Sequence, residues 1–180
     1  VHSTGIEGGF APNLYTNTDA FQLFFETFRE LPYTIGQDVF LGIDAASNFF
    51  YSGGKYKIRD RSEPFSVDQM IKYYKEIREQ FHVFSIEDGL SEDDMEGWKK
   101  LTAELQSSTI IVGDDFLTTN KERVLKAVEE KACTGIIIKP NQIGTVSETV
   151  EVVKIARDAG WQIIFSHRSG ETTDDFIADF

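Results

Sequence analysis

Short apolar runs recur along the chain, at residues 39–44, 83–87, 110–114, 135–139 and 162–167, ending on Asp44, Glu87, Asp114, Lys139 and His167. They are rich in β-branched residues and nearly unbroken, the pattern of parallel strands buried on both faces. Between them, apolar positions recur at helical spacing. The clearest case covers 67–80, where Met70, Ile71, Tyr74 and Ile77 share one face. Similar spacing predicts helices over 94–106, 121–131 and 146–159, and an earlier one over 18–30. Ser66-x-x-Gln69, Thr119-x-x-Glu122 and Thr145-x-x-Glu148 have capping-box spacing and predict three helix starts. Gly160 suits the position just past a helix end. Ser52-Gly53-Gly54, between two aromatic-rich segments, predicts a small hairpin.

Spacing narrows the fold. Asp44 and Glu87 are 43 residues apart, a gap stretched by the hairpin, and the following intervals are 27, 25 and 28 residues. A barrel of eight strand–helix units has about 31 residues per unit. Each predicted strand also delivers a chemically capable residue at its C-terminal end, the rim where barrels keep their active sites. A doubly wound sheet places function at strand ends too, but does not gather five successive strands on one focus. The expected class is therefore α/β, an incomplete (β/α) barrel of about five to six units.

Composition adds limits. The 180 residues fit one domain, 41% are hydrophobic, and 15 phenylalanines predict that much of the core is aromatic. A formal net charge of −12 repels phosphate backbones and anionic lipid, so neither nucleic acid nor a membrane surface is an expected partner. A small anionic substrate stays possible, because a bound divalent cation inverts the local field. The single cysteine, Cys133, has no internal disulfide partner, and there is no Asn-x-Ser/Thr acceptor site, so a cytoplasmic location is expected. No apolar run approaches the ~18 residues of a membrane span. Val1-His2-Ser3 is neither an initiator Met nor a signal peptide, and the last residues stop inside an apolar pattern. Both ends are expected to be cut from a longer protein.

Asp44, Glu87 and Asp114 stand on three consecutive predicted strand ends. Converging carboxylates suit a hard cation such as Mg²⁺; the plainer alternative is that each caps a following helix or binds water. Asp88 and Asp115 beside them read as supporting or capping groups. Lys139 ends a run of isoleucines, where it either pairs with a neighbouring carboxylate or removes a proton. A lysine beside a divalent cation and partly buried gives up its own proton more readily, and metal plus lysine is an arrangement that stabilises an ene-diolate. The combination points to proton abstraction α to a carboxylate. Other chemistries fail on spacing. Gly53-Gly54-Lys55-Tyr56 lacks the P-loop pattern, Gly5, Gly8 and Gly9 make no dinucleotide fingerprint, and Cys133 reads as a packed thiol.

Glu7-Gly-Gly-Phe-Ala-Pro-Asn13, Ser85-Ile-Glu-Asp88, Gly113-Asp-Asp115, Lys139-x-Asn-Gln-Ile-Gly-Thr145 and Ser166-His-Arg-Ser-Gly-Glu-Thr172 resemble segments of the enolase family, in the same order and over essentially the whole chain. The resemblance implies an enolase-type barrel and the Mg²⁺-dependent interconversion of 2-phosphoglycerate and phosphoenolpyruvate. It implies that Asp44, Glu87 and Asp114 ligate the tightly held Mg²⁺ and that Lys139 takes the C2 proton. Glu7 would act as general acid on the C3 hydroxyl. Arg168 and Ser169 would bind phosphate, the Arg fork suiting two oxygens, and His167 would lie on the substrate side. A second Mg²⁺ is expected in the complete enzyme, with a ligand from an amino-terminal domain outside this chain. Residues 1–180 would thus be a partial C-terminal catalytic barrel, lacking that domain and the last barrel units. The complete enzyme is expected to be a homodimer, and the isolated segment to be inactive.

The chain departs from the family pattern in three places. Ile6 stands where Asp usually precedes the catalytic Glu, Gly89 stands where Pro is common and is expected to loosen its turn, and Phe116 replaces a usual Leu. Two rival readings remain: another enolase-superfamily enzyme acting on a different carboxylate, and a non-catalytic enolase-derived protein kept for surface binding.

Overall fold

The computed structural model describes residues 3–5 and 8–180. Helix α1 (Thr18–Phe28) comes first and leads to strand β1 (Leu41–Asp44). A 3-10 turn (Ser47–Phe50) then feeds a hairpin of β2 (Tyr51–Ser52) and β3 (Lys55–Tyr56). Four strand–helix steps follow: α2 (Val67–Phe81) to β4 (Val83–Glu87), α3 (Met95–Leu105) to β5 (Ile110–Gly113), α4 (Lys121–Glu129) to β6 (Gly135–Ile138), and α5 (Pro140–Ile143) with α6 (Val146–Asp158) to β7 (Gln162–Phe165). A short α7 (Phe176–Asp179) ends the described chain.

The strands of the large sheet are all parallel, in the order β1-β4-β5-β6-β7. Each new strand joins the same edge, with none of the order reversal of a doubly wound sheet. Right-handed crossovers repeated in one direction put every connecting helix on the same face. The outcome is part of a barrel wall with helices outside, as the spacing predicted.

Local chemistry explains the element ends. Ser66 and Gln69 form a complete capping box at α2. Thr145 accepts the Glu148 amide at α6. Gly160 (φ 73°) and Trp161 close α6, their amides returning to Arg157 and Ala156 carbonyls at 2.9 Å each, the reciprocal pattern of a glycine helix stop. Gly53 and Gly54, both at positive φ, turn the hairpin. One cap differs from expectation. Asn120, not Thr119, caps α4, its side chain accepting the Glu122 and Arg123 amides.

The core also differs. Ile86, Ile111, Ile136 and Ile138 fill the sheet's centre, with Trp98 and Tyr56 fully buried beside them. Phenylalanine contributes chiefly Phe81 and Phe116 to that core, while Phe10, Phe24, Phe40, Phe49, Phe84 and Phe176 are exposed. Parallel strands favour branched aliphatic side chains, and Phe21, Phe25, Phe50, Phe65 and Phe165 pack against that core only partly buried. Phe116 stacks on Trp98 at 4.2 Å and 8°, so this departure from the family pattern is absorbed by an aromatic neighbour. Gly89 is buried in contact range of Ile86 and Leu101, and its carbonyl accepts the Tyr74 hydroxyl at 2.8 Å; the turn expected to be loose is pinned. Among the described residues no helix is long and apolar enough to cross a membrane.

Candidate active site

Asp44 closes β1 and Glu87 closes β4, and the two are ladder partners. Asp114 follows β5 by one residue, Lys139 follows β6 by one, and His167 follows β7 by two. Because these strands are parallel neighbours, all five residues emerge on one rim.

The loops of that rim are strained. Ala46, Asp88, Thr118 and Thr119 have φ of 44°, 43°, 49° and 51°, a region that residues other than glycine seldom adopt and β-branched ones such as Thr118 and Thr119 least of all. Each such residue costs about 1–3 kcal/mol and persists only where its surroundings hold it. What holds Asp88 is visible: its Oδ1 accepts the Asp114 amide at 2.9 Å and its Oδ2 the Asp115 amide at 2.8 Å. This is the supporting role expected of Asp88, a clamp that fixes the backbone carrying Asp114.

Charge concentrates on the same rim. The Glu87 carboxyl is pushed up to about 7, first by burial, then by Asp44, Asp114 and Asp88, with Lys139 opposing. Asp88 is pushed up to about 6 by burial, against its two amide bonds. Asp44 is open to solvent, yet the surrounding protein still raises its pKa, with Asp114 adding and the Ala46 amide and Lys139 opposing. The Lys139 ammonium pairs with Asp114 Oδ2, both side chains being largely buried. Asp44, Glu87, Asp114 and Lys139 therefore share one electrostatic neighbourhood, with carboxylates in excess.

Such a set fits a hard divalent cation: the donors are all oxygens, and their mutual repulsion is only partly relieved by one ammonium. Among the described residues, the carboxylates with oxygens within 4.8 Å of one another are Asp88, Asp114 and Asp115. Asp88 is already committed to two amides, which leaves Asp114 as the carboxylate common to that group and to the set expected from the sequence. In the loop after Asp44, the buried Ser47 hydroxyl has no hydrogen-bond partner, a place for water to satisfy.

The remaining expected residues are placed as follows. The Ser166 amide donates to Ile138 O at 3.0 Å, which carries the β6–β7 alignment up to His167, Arg168 and Ser169, all exposed. Glu7 and Ile6 lie outside the described residues. Gly5 N–H donates to Gly9 O at 2.8 Å and Gly8 N–H to Gly5 O at 3.0 Å.

Two residues on the rim carry a role the sequence did not reveal. The Thr119 hydroxyl accepts the Lys139 amide at 2.9 Å and donates to Gln142 Oε1 at 2.8 Å. The Gln142 amide nitrogen lies 3.5 Å from Asp114 Oδ1. No local pattern could have announced these contacts, which join residues 20 to 28 positions apart.

Comparison with known proteins supplies the remaining finding. The sequence model described as "Enolase, C-terminal TIM barrel domain" matches residues 2–180. The chain is 45% identical over 177 residues to a protein named "Enolase" from Natranaerobius thermophilus. It is 44% identical over 179 residues to "Enolase 1" from Methanospirillum hungatei. Each alignment covers 98% of this chain but 42% of the relative, so the chain spans less than half the length of these proteins.

Proposed function

This chain belongs to the enolase family, and on that premise we propose that it forms the greater part of a site for Mg²⁺-dependent dehydration of 2-phosphoglycerate to phosphoenolpyruvate. The observation that carries the reading is the rim itself: one largely buried ammonium, Lys139, paired with Asp114 and set among Glu87 and Asp44. Asp44, Glu87 and Asp114 would hold the cation. When bound, it supplies positive charge against the carbanion-like charge that builds on the substrate carboxylate.

The chain's own groups have distinct tasks. Lys139 takes the proton from C2, and Asp114 orients its ammonium side chain. Glu7 donates a proton to the departing C3 hydroxyl, a role resting on its motif alone. Arg168 and Ser169 bind the phosphate, with His167 beside the substrate. Residues 1–180 act as a partial catalytic barrel within a longer, cytoplasmic, homodimeric enzyme, and the acidic surface argues against nucleic acid or membranes as partners.

The test separates the two proton transfers in an enzyme containing this segment. Lys139→Ala should abolish exchange of the C2 proton with solvent, followed by proton NMR, while Mg²⁺ still binds by calorimetry. Glu7→Gln should keep that exchange and lose dehydration. Loss of exchange in both variants would overturn the assignment. In the chain alone, Asp114→Asn should remove Mg²⁺ affinity.

A further inference from the structure

Lys139 is held at two points by a closed ring of contacts. Starting at its backbone, Lys139 N–H meets the Thr119 hydroxyl at 2.9 Å. That hydroxyl meets Gln142 Oε1 at 2.8 Å, and Gln142 Nε2 lies 3.5 Å from Asp114 Oδ1. The ring closes where Asp114 Oδ2 takes the Lys139 ammonium. The donor directions follow from chemistry. A backbone N–H can only donate, so the hydroxyl must spend its own hydrogen on Gln142, and the Gln142 carbonyl then leaves its NH₂ facing the Asp114 carboxylate.

Thr119 has no competing task. It is fully buried, and Asn120 rather than Thr119 caps the next helix. With Thr118 it makes two successive β-branched residues in left-handed backbone, φ 49° and 51°. Such a conformation is kept only where the surroundings over-determine it, and here it delivers the hydroxyl to Lys139.

We infer that Thr119 is a positioning residue for Lys139, acting through the Gln142 side chain to align Asp114 with the lysine ammonium. Its catalytic consequence rests on the proposed role of Lys139 as the proton acceptor; the ring does not.

The test uses the metal-free chain, so it stands or falls apart from the identity of the substrate. In ¹⁵N NMR of Thr119→Val, the Lys139 amide should exchange faster on the order of tenfold, as a lost hydrogen bond requires. Amides of Ile111 and Ile136 in the core should be unchanged. The Lys139 ammonium signal, visible while the group is ion-paired, should weaken. Thr119→Ser, which keeps the hydroxyl, should restore both. Gln142→Leu should leave the amide protected and weaken only the ammonium signal. An ammonium signal untouched in Gln142→Leu would overturn the inference, as would a Thr119→Ser variant that fails to restore it. If Thr119→Val does not fold, the other two variants decide the question. Absence of Mg²⁺ affinity in a chain with the ring intact would instead count against the proposed function.

Discussion

Glu87 shows most directly what an acidic rim does to one residue. Its carboxyl is moved from an ordinary 4.5 to about 7, with burial as the first cause and three neighbouring carboxylates as the rest. A carboxyl raised in this way binds more protons folded than unfolded, so stability falls as pH climbs through that window. Asp88, raised to about 6, acts in the same direction. A divalent cation reverses the preference, because its ligands must give up their protons. The metal-free chain should therefore lose stability between about pH 4 and about pH 7, and Mg²⁺ should restore it increasingly across the same range. Thermal melts with and without Mg²⁺ at both ends of that range measure this. Equal Mg²⁺ shifts at both would mean that these carboxylates do not ligate the ion.

At the level of elements, the sequence announced whatever depends on near neighbours. Strand ends at Asp44 and Glu87, the Ser66 capping box, the Gly160 stop and the Gly53-Gly54 turn all follow from short-range patterns, and the structure has them. Thr119 was misread as a cap because Thr119-x-x-Glu122 satisfies the local rule; a partner 20 residues away claimed its hydroxyl instead. Composition could not say which phenylalanines lie inside: Phe81 and Phe116 are buried, while Phe21, Phe25, Phe50, Phe65 and Phe165 pack against the core only in part. Lys139 kept two readings open, and the structure displays the ion pair without removing the catalytic one. Gly89 is a further case, since a residue without a side chain reveals nothing of its packing. A Cβ there would lie 3.0 Å from Ile86 Cγ2 and 3.1 Å from Leu101 Cδ2. Both neighbours are fully buried and have nowhere to move. Gly89→Ala should thus destabilise the chain by about 1–3 kcal/mol through overpacking, read from urea denaturation. An unchanged or raised midpoint would show that the β4–α3 junction has slack the contacts do not display.

For the whole molecule, the unfinished wall is the dominant fact. Helices cover the outer face and are stitched to one another by ion pairs, Lys99–Glu130 at 2.7 Å and Lys121–Glu151 at 2.9 Å among them. Such exposed pairs contribute only about 0–1 kcal/mol each. On the sheet, Phe40 and Phe84 lie 4.9 Å apart and remain 52% and 44% exposed, and Ile164 on the edge strand β7 is 43% exposed. A cleft of about 480 Å³ runs from α1 and α2 to Gly42 and Ile43 of the other edge strand, β1. Open parallel edges and bare aromatic surface favour association, while a net charge of −12 opposes it. The two forces respond differently to salt. Charge repulsion is screened within a Debye length of about 8 Å at physiological ionic strength, whereas apolar burial is not weakened. Association of the isolated chain should accordingly strengthen as salt is raised, and Phe84→Lys, which charges the patch, should reduce it at every salt concentration. Sedimentation velocity over a concentration series reads both effects. Association that weakens with salt would mean that opposite charges, rather than the uncovered sheet, bring copies together.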